Sequence, residues 1–375
     1  MNKEDVRKLF PYLNNNIIYF NHAATGPISL PVKNRMIELV TENCENNLDD
    51  YSSFLQMLDE TKLLLSKMVN SNPDRIAFVD NTTNGINILA QSIKWKQGDR
   101  VLLNDVEFPA NVYPFLNLKK FGVEVDYVKS CNGIVTAEQI IEGVKPQTKL
   151  ISVSFVQFLS GYKADLEKIG DYCRSNNIIF CVDGIQGIGA VQIDVVKCKI
   201  DFLSCGTQKW LLGMQGLAFI YIDEMLQQKI TPANVGWLSV NNAWNLLDYK
   251  MDLKTSANVF QGGTLNTFGI YAFNTSLKLF SEYGIDNVEK DIISNSKYFL
   301  SKLNEINTAC PLSGCSENNL AGIVTIKIDN PAKVFDQLSN RKIICSHREG
   351  LIRFAPHFYN THHEIDMVVD ELQKI

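Results

Sequence analysis

The sequence has no C-x-x-C pair, no histidine at zinc-ligand spacing beside a cysteine, and no uninterrupted apolar run near the ~20 residues needed to span a bilayer. It has no internal repeat, no low-complexity segment and no strong excess of one charge. Lys plus Arg is 36, Asp plus Glu is 41, and the formal net charge is −5. These absences exclude a mainly disordered chain, a collagen-like chain and a small disulfide-stapled scaffold, and they suggest neither a membrane partner nor a metal. A mildly acidic balance argues against a general nucleic-acid binder. The nine cysteines are odd in number, so they cannot all pair within one chain. The closest spacings are Cys198 to Cys205 and Cys310 to Cys315; others, such as Cys181, sit inside apolar runs. Buried free thiols in a reducing cytosol are the expectation. The N-terminal Met1-Asn2-Lys3-Glu4-Asp5 lacks an apolar signal-peptide core, so a soluble, cytoplasmic protein is expected.

What is present is ordinary globular composition, 45% hydrophobic and 21% charged, in a chain of 375 residues, enough for about two domains. From residue 75 to 222, short apolar runs alternate with helical patterns. Strands are expected at Arg75–Asp80, Arg100–Asn104, Val123–Val128, Lys149–Val156, Ile178–Asp183, Asp201–Cys205 and Leu217–Ile222. Helices are expected at Gly85–Ile93, Asn111–Lys120, Ala137–Gly143 and Asp165–Asn176. That alternation implies an α/β fold with a mostly parallel central sheet flanked by helices. Lys229–Asn258 reads as irregular, at the edge of the site, before a helical run at Phe268–Tyr283. Beyond it the texture is α+β. Strands are expected at Ile323–Ile328, Lys342–Ser346 and Leu351–Pro356, helices at Pro331–Arg341 and Thr361–Ile375, the last opening on a Thr361–Glu364 capping box. A large domain at 17–260 and a smaller one at 261–375 follow, with residues 1–16 expected to pack against the smaller.

Open parallel sheets bind ligands beyond the carboxyl ends of their strands, so the polar residues there carry the interest. Asp183 ends the most apolar strand. It would face a protonated ring nitrogen of a cofactor, or serve as a helix cap or half of an ion pair. Lys209 follows another strand, flanked by Trp210, Leu211 and Leu212. Desolvation there would supply the neutral amine that forms a Schiff base, although a lone lysine is by default a snorkelling surface residue. Asn81-Thr82-Thr83-Asn84-Gly85 opens a helix and suits either a phosphate or a plain cap. It is neither a P-loop nor a G-x-G-x-x-G turn, and Gly184-Ile185-Gln186-Gly187-Ile188-Gly189 has the wrong spacing for the latter, so a nicotinamide-dependent dehydrogenase lacks its fingerprint. Arg353, between apolar neighbours, needs an anion: a substrate carboxylate or a structural partner. His357, His362 and His363 do not match a metal-binding helix and read as solvated surface residues.

Taken together, these segments resemble the class V aminotransferase family of fold-type I pyridoxal 5'-phosphate (PLP) enzymes, which includes cysteine desulfurases, selenocysteine lyases and isopenicillin-N-epimerase-like proteins. The resemblance runs from Tyr19-Phe20-Asn21-His22-Ala23-Ala24-Thr25-Gly26-Pro27, through Val182–Ala190, Asp201-Phe202-Leu203 and Gln208-Lys209-Trp210, to Arg353-Phe354-Ala355-Pro356-His357-Phe358-Tyr359-Asn360-Thr361. It implies that Lys209 carries the cofactor and then shuttles the proton at the substrate Cα. Asp183 would hold the pyridine nitrogen protonated, and Gln186 would meet the ring's phenolic oxygen. Thr83 and Gln208 would bind the phosphate, with Gly206 or Thr207 nearby. Thr264 would reach the phosphate of a neighbouring subunit in a homodimer with shared active sites. Arg353 would take the α-carboxylate of an amino-acid substrate, with Arg348 close by in sequence. Three departures stand out. Phe108 replaces the family's stacking histidine, Gln208 replaces the histidine before the lysine, and Arg348-Glu349-Gly350 runs directly into Leu351 without the loop that bears the desulfurase cysteine. Aminotransfer to or from an amino acid or amine is therefore the first expectation. A Cβ-eliminating lyase or an epimerase is the next, cysteine desulfuration is disfavoured, and a non-catalytic PLP-binding module is a distant rival.

Overall fold

The computed structural model describes residues 1–46, 48, 50–312 and 316–374. Cys315 and the C-terminal Ile375 of the expectations above lie outside these. In chain order the strands are β1 (Ile18–Tyr19), β2 (Ile76–Val79), β3 (Arg100–Asn104), β4 (Glu124–Val128), β5 (Thr148–Ser154), β6 (Ile179–Asp183), β7 (Phe202–Gly206), β8 (Ala218–Ile222), β9 (Ala309–Pro311), β10 (Val324–Ile328), β11 (Ile343–Ile344), β12 (Ser346–Arg348) and β13 (Leu351–Phe354). Seven of them form one sheet in the order β2-β8-β7-β6-β5-β3-β4. It is parallel except for β8, which runs antiparallel to both β2 and β7. β7 and β8 are buried along their whole length, as expected for strands covered on both faces. The crossover helices are short. Tyr113–Leu116 continues as a 3-10 turn at Asn117–Phe121, and Ala137–Glu142 and Leu166–Ser175 follow, capped by Thr136 and Asp165.

The register aligns the strand ends that matter. Ser154 pairs with Asp183, and Asp183 with Ser204, so the carboxyl ends of β5, β6 and β7 open on one edge. Two long helices, Leu30–Glu45 and Tyr51–Val69, pack with Thr267–Tyr283. The smaller sheet is antiparallel, β12-β13-β10-β9. The capping box at Thr361 opens the last helix, His362–Gln373. Its Glu364 also takes the Arg7 guanidinium on both carboxylate oxygens, at 2.7 and 3.1 Å, which fastens the N-terminal helix Lys3–Lys8 to the C-terminal region. β1 pairs in parallel with β11, and the loop after β1 returns towards the large sheet. In that loop Gly26 N–H donates to Gln208 O at 2.7 Å.

Candidate functional site

Asp183 ends β6 buried, and its carboxylate accepts the Ile185 N–H at 3.0 Å. Burial pushes its pKa up; the Ile185 N–H opposes that, the Glu107 carboxylate reinforces it, and the Lys209 ammonium opposes it. Lys209 leaves β7 in a loop that its own hydrogen bonds hold. Thr207 Oγ1 donates to Met214 O and Leu217 O, Gly213 N–H to Thr207 O, and Leu212 N–H to Lys209 O. Leu212 closes the loop in the left-handed region, φ 54°. Burial drives the Lys209 pKa down against the pull of Asp183, and the Arg353 and Arg348 charges lower it further. The pair thus shares one cleft, and the snorkelling alternative does not describe this lysine. A Cβ at residue 26 would lie 2.5 Å from Lys209 O, so only glycine lets the 21–26 loop rest on the lysine backbone.

At the other end of the cleft, Asn81 caps the helix Thr82–Ser92, accepting from Asn84 N–H. The N–H groups of Thr82 and Thr83 remain at the helix mouth, where an anion is favoured. Thr83 is half-buried there. Its neighbour Thr82, part of the same turn but not singled out for the phosphate, is buried, and its Oγ1 has no partner among the described residues. A Cβ at residue 206 would stand 3.3 Å from that hydroxyl and 2.6 Å from Gln208 Oε1, so Thr82, Gly206 and Gln208 converge on one point. An orphaned buried hydroxyl beside free helix N–H groups fits a phosphate. Asp183 and Lys209, each within reach of the other's charge, fit the ring nitrogen and the aldehyde of PLP. The residues present therefore fit that group.

Gln186 is buried and fixed at both ends of its amide. Nε2 donates to Ala23 O and Oε1 accepts from Trp210 Nε1, each at 2.9 Å, which leaves one amide N–H for a ring oxygen. Phe108 lies with its ring centroid 5.7 Å from Lys209 Nζ and meets Phe158 edge-on at 5.3 Å. The residue before it, Glu107, drew no attention in the sequence. Its buried carboxylate accepts from Asn104, Asn111, Gln157 and both the N–H and Oγ of Ser154. No cation pairs with it among the described residues.

Arg353 on β13 is buried, its Nη1 donating to Phe158 O at 2.6 Å. Nε and Nη2 are buried without partners, and no carboxylate pairs with the side chain among the described residues. Burial and then Arg348 push its pKa down to about 10. A structural ion pair, one of the two readings above, is not made. The group is prepared for an anion that the chain itself does not supply.

Thr264 is not brought to this cleft. It lies in a groove with Asp80, Asn84 and Asn87, and borders a second cavity of about 720 Å³ near Lys62 and Trp237; neither is lined by Lys209 or Asp183. His357 corrects the sequence reading. It is not a solvated residue but fully buried, while His362 and His363 are exposed. Its Nε2 donates to Trp210 O and its Nδ1 accepts from Phe358 N–H, each at 2.9 Å, which fixes a neutral tautomer. His22 is its buried neighbour, donating from Nδ1 to Ala355 O and accepting from Tyr359 OH. Trp210, next to Lys209, is thus clamped by Gln186 and His357. Their burial was invisible in the sequence because Ala355 and Tyr359, which hold His22, and Trp210, which holds His357, lie far away along it.

Comparisons with known proteins agree with this architecture. The family model described as Aminotransferase class-V matches residues 18–368. A probable cysteine desulfurase of Methanothermobacter thermautotrophicus is 28% identical, covering 100% of this chain and 98% of that protein. An uncharacterized aminotransferase of Bacillus subtilis is 25% identical over 98% of this chain and 97% of its own. Among solved structures, the cystine C–S lyase C-DES with cysteine persulfide has a TM-score of 0.90 at 22% identity, covering 98% of this chain and 99% of that one. The apo cysteine desulfurase of Thermococcus onnurineus NA1 has a TM-score of 0.89 at 21%, covering 99% and 97%. At these identities the two structures speak for the fold alone. The family model spans nearly the whole chain, and the chain belongs to the class V aminotransferase family.

Proposed function

We propose that this protein is a PLP-dependent enzyme of α-amino acids whose net reaction is transfer of the amino group. The observation that carries the reading is Arg353, a buried guanidinium with two unpartnered donor atoms in the neighbourhood of Lys209. When bound, PLP supplies an electron sink that acidifies the substrate Cα–H. The chain's own residues do the rest. Arg353 fixes the substrate carboxylate, and Lys209, partly desolvated, takes and returns the Cα proton. Asp183 holds the ring nitrogen protonated, Phe108 covers the ring, and Gln186 offers its remaining N–H to the ring oxygen. Thr82, Thr83, Gly206 and Gln208 cradle the phosphate. Thr264 contributes from the partner in a homodimer.

Amino-group transfer needs no residue beyond this set. The test is single-turnover incubation of the PLP-loaded protein with amino acids. Release of the matching keto acid, with the cofactor left in its amine form, is expected. Absence of any keto acid would refute aminotransfer. Lys209→Ala should abolish turnover; unchanged turnover would instead favour a non-catalytic binding module.

A second reading, a lyase expelling a Cβ sulfur substituent, is supported by the relatives named as probable cysteine desulfurases. Transfer of sulfur to a protein thiol has less support. Among the described cysteines Cys173, Cys181, Cys205 and Cys345 are buried; Cys44, Cys131 and Cys310 are exposed, contrary to the expectation of buried thiols, but none stands in the two-residue turn Glu349-Gly350 that joins β12 to β13. Offering cystine or cysteine and assaying released sulfur separates the two readings.

A further inference from the structure

In the hairpin of β12 and β13, Arg348 pairs with Leu351, His347 with Ile352, and Ser346 with Arg353. Glu349 (φ 48°) and Gly350 (φ 73°) make the turn, both in the left-handed region that a type I′ hairpin requires. Residues directly opposite one another share a face of the sheet, and every second residue along a strand returns to it. Ser346, Arg348, Leu351 and Arg353 therefore belong to one face. Three contacts fix its direction. Arg353 Nη1 donates to Phe158 O, Ser346 Oγ to Asn21 Oδ1, and Thr325 Oγ1, opposite Arg353 on β10, to Leu159 O. All three acceptors belong to segments beside the Lys209 cleft. The 21–26 loop rests on the lysine backbone, and Phe158 packs on Phe108.

Arg348 thus projects from the face that carries Arg353, one diagonal step toward the hairpin tip, where backbones are about 7–8 Å apart. It is exposed, and among the described residues its side chain makes no hydrogen bond or ion pair, not even with Glu349 beside it. Its charge reaches both Arg353 and Lys209. The nearby carboxylates are committed elsewhere: Asp183 faces Lys209, and Glu107 is filled by five neutral hydrogen bonds. The cleft mouth therefore carries two arginines on one wall, and a single α-carboxylate satisfies only the deeper one.

Resting on the reading that Arg353 anchors the α-carboxylate, we infer that Arg348 is a specificity-determining residue that binds a second carboxylate, so that the site prefers dicarboxylic amino acids of aspartate or glutamate size. The PLP-loaded protein would be titrated with 2-methylaspartate and with 2-aminoisobutyrate, which lack an α-proton, following binding by calorimetry and by the visible absorption of the cofactor. The expected result is binding of 2-methylaspartate at least about ten-fold tighter, the effect of one added charge-assisted hydrogen-bonded pair. Arg348→Gln should remove that preference while leaving 2-aminoisobutyrate nearly unaffected, and Arg348→Lys should keep part of it. Arg353→Lys should weaken both ligands. Equal affinities in the unaltered protein, or an Arg348→Gln loss shared equally by both ligands, would overturn the inference. Binding of neither ligand by protein that retains its cofactor would refute the α-carboxylate anchor instead, a different failure with a different signature.

Discussion

An amine attacks an aldehyde only after losing its proton, so the surroundings of Lys209 set the pH at which the apoprotein captures PLP. Burial and two arginines lower that pKa, and Asp183 raises it. Capture should therefore rise with pH about a midpoint below the 10.5 of an ordinary lysine. Asp183→Asn removes the larger of the two acidic influences that favour the ammonium, Cys205 being the smaller, and should move the midpoint down; Arg348→Gln should move it up. Stopped-flow capture rates across pH would check this, and an unmoved midpoint in Asp183→Asn would mean the two side chains do not sense each other. Much at this scale was legible, because Lys209 and Asp183 follow strands whose apolar composition declared them. Thr82 was not, since Asn81-Thr82-Thr83 offers two hydroxyls and only the helix start at Thr82 decides which one is buried.

Elements declare themselves when burial follows their own period. β3 matched its expected span, and most other sheet strands fell within a residue or two at each end, because strands covered on both faces are continuous apolar runs. Strand direction was not legible, because antiparallel β8 reads like its parallel neighbours. The helices Leu30–Glu45 and Tyr51–Val69 went unread. The second buries Thr61, Lys62 and Ser66 among Phe54, Leu58 and Leu65, and that polar content blurs its stripe. The turn after β3 belongs to the same class of hidden element, since its stability comes from Glu107 and not from apolar residues. Glu107→Gln puts an amide N–H against the donors of Asn111 or Ser154 and removes one acceptor. A loss of roughly 1–3 kcal/mol is expected in urea unfolding. Phe108 should also lose its position over the cofactor, visible as altered circular dichroism of the bound chromophore. Unfolding free energy equal to that of the unaltered protein would show that the network does not hold the turn.

The whole molecule meets itself at the two buried histidines, where the 21–26 loop, the Lys209 loop and the 355–360 segment join. The His357 pKa falls from 6.5 to about 3 through burial, and that of His22 falls well below 6.5. The unfolded chain therefore gains these protons first, and stability should be lost progressively as pH drops from 6.5 toward 3, with none lost to them above that window. His357→Asn should flatten that part of the urea-midpoint profile. Association is the other property of the whole chain. Trp244, Leu247, Tyr249 and Met251 are 65%, 84%, 87% and 70% exposed, a run of large apolar side chains that single chains rarely leave in water. Trp244 packs edge-on against Tyr51 and Trp237 beside the cavity that Thr264 borders, so the apolar patch and the residue assigned to a partner's phosphate occupy one region. A second copy seated there would bury the patch and complete the phosphate site together. Sedimentation should give a dimer that Leu247→Glu dissociates, with activity lost alongside. The Thr264→Ala homodimer should be weak and the Lys209→Ala homodimer inactive. Mixing and reannealing them should restore activity to about a quarter of the unaltered value, because half the dimers formed at random then hold one intact site of two. Full activity in Thr264→Ala, or no recovery on mixing, would assign each site to a single chain.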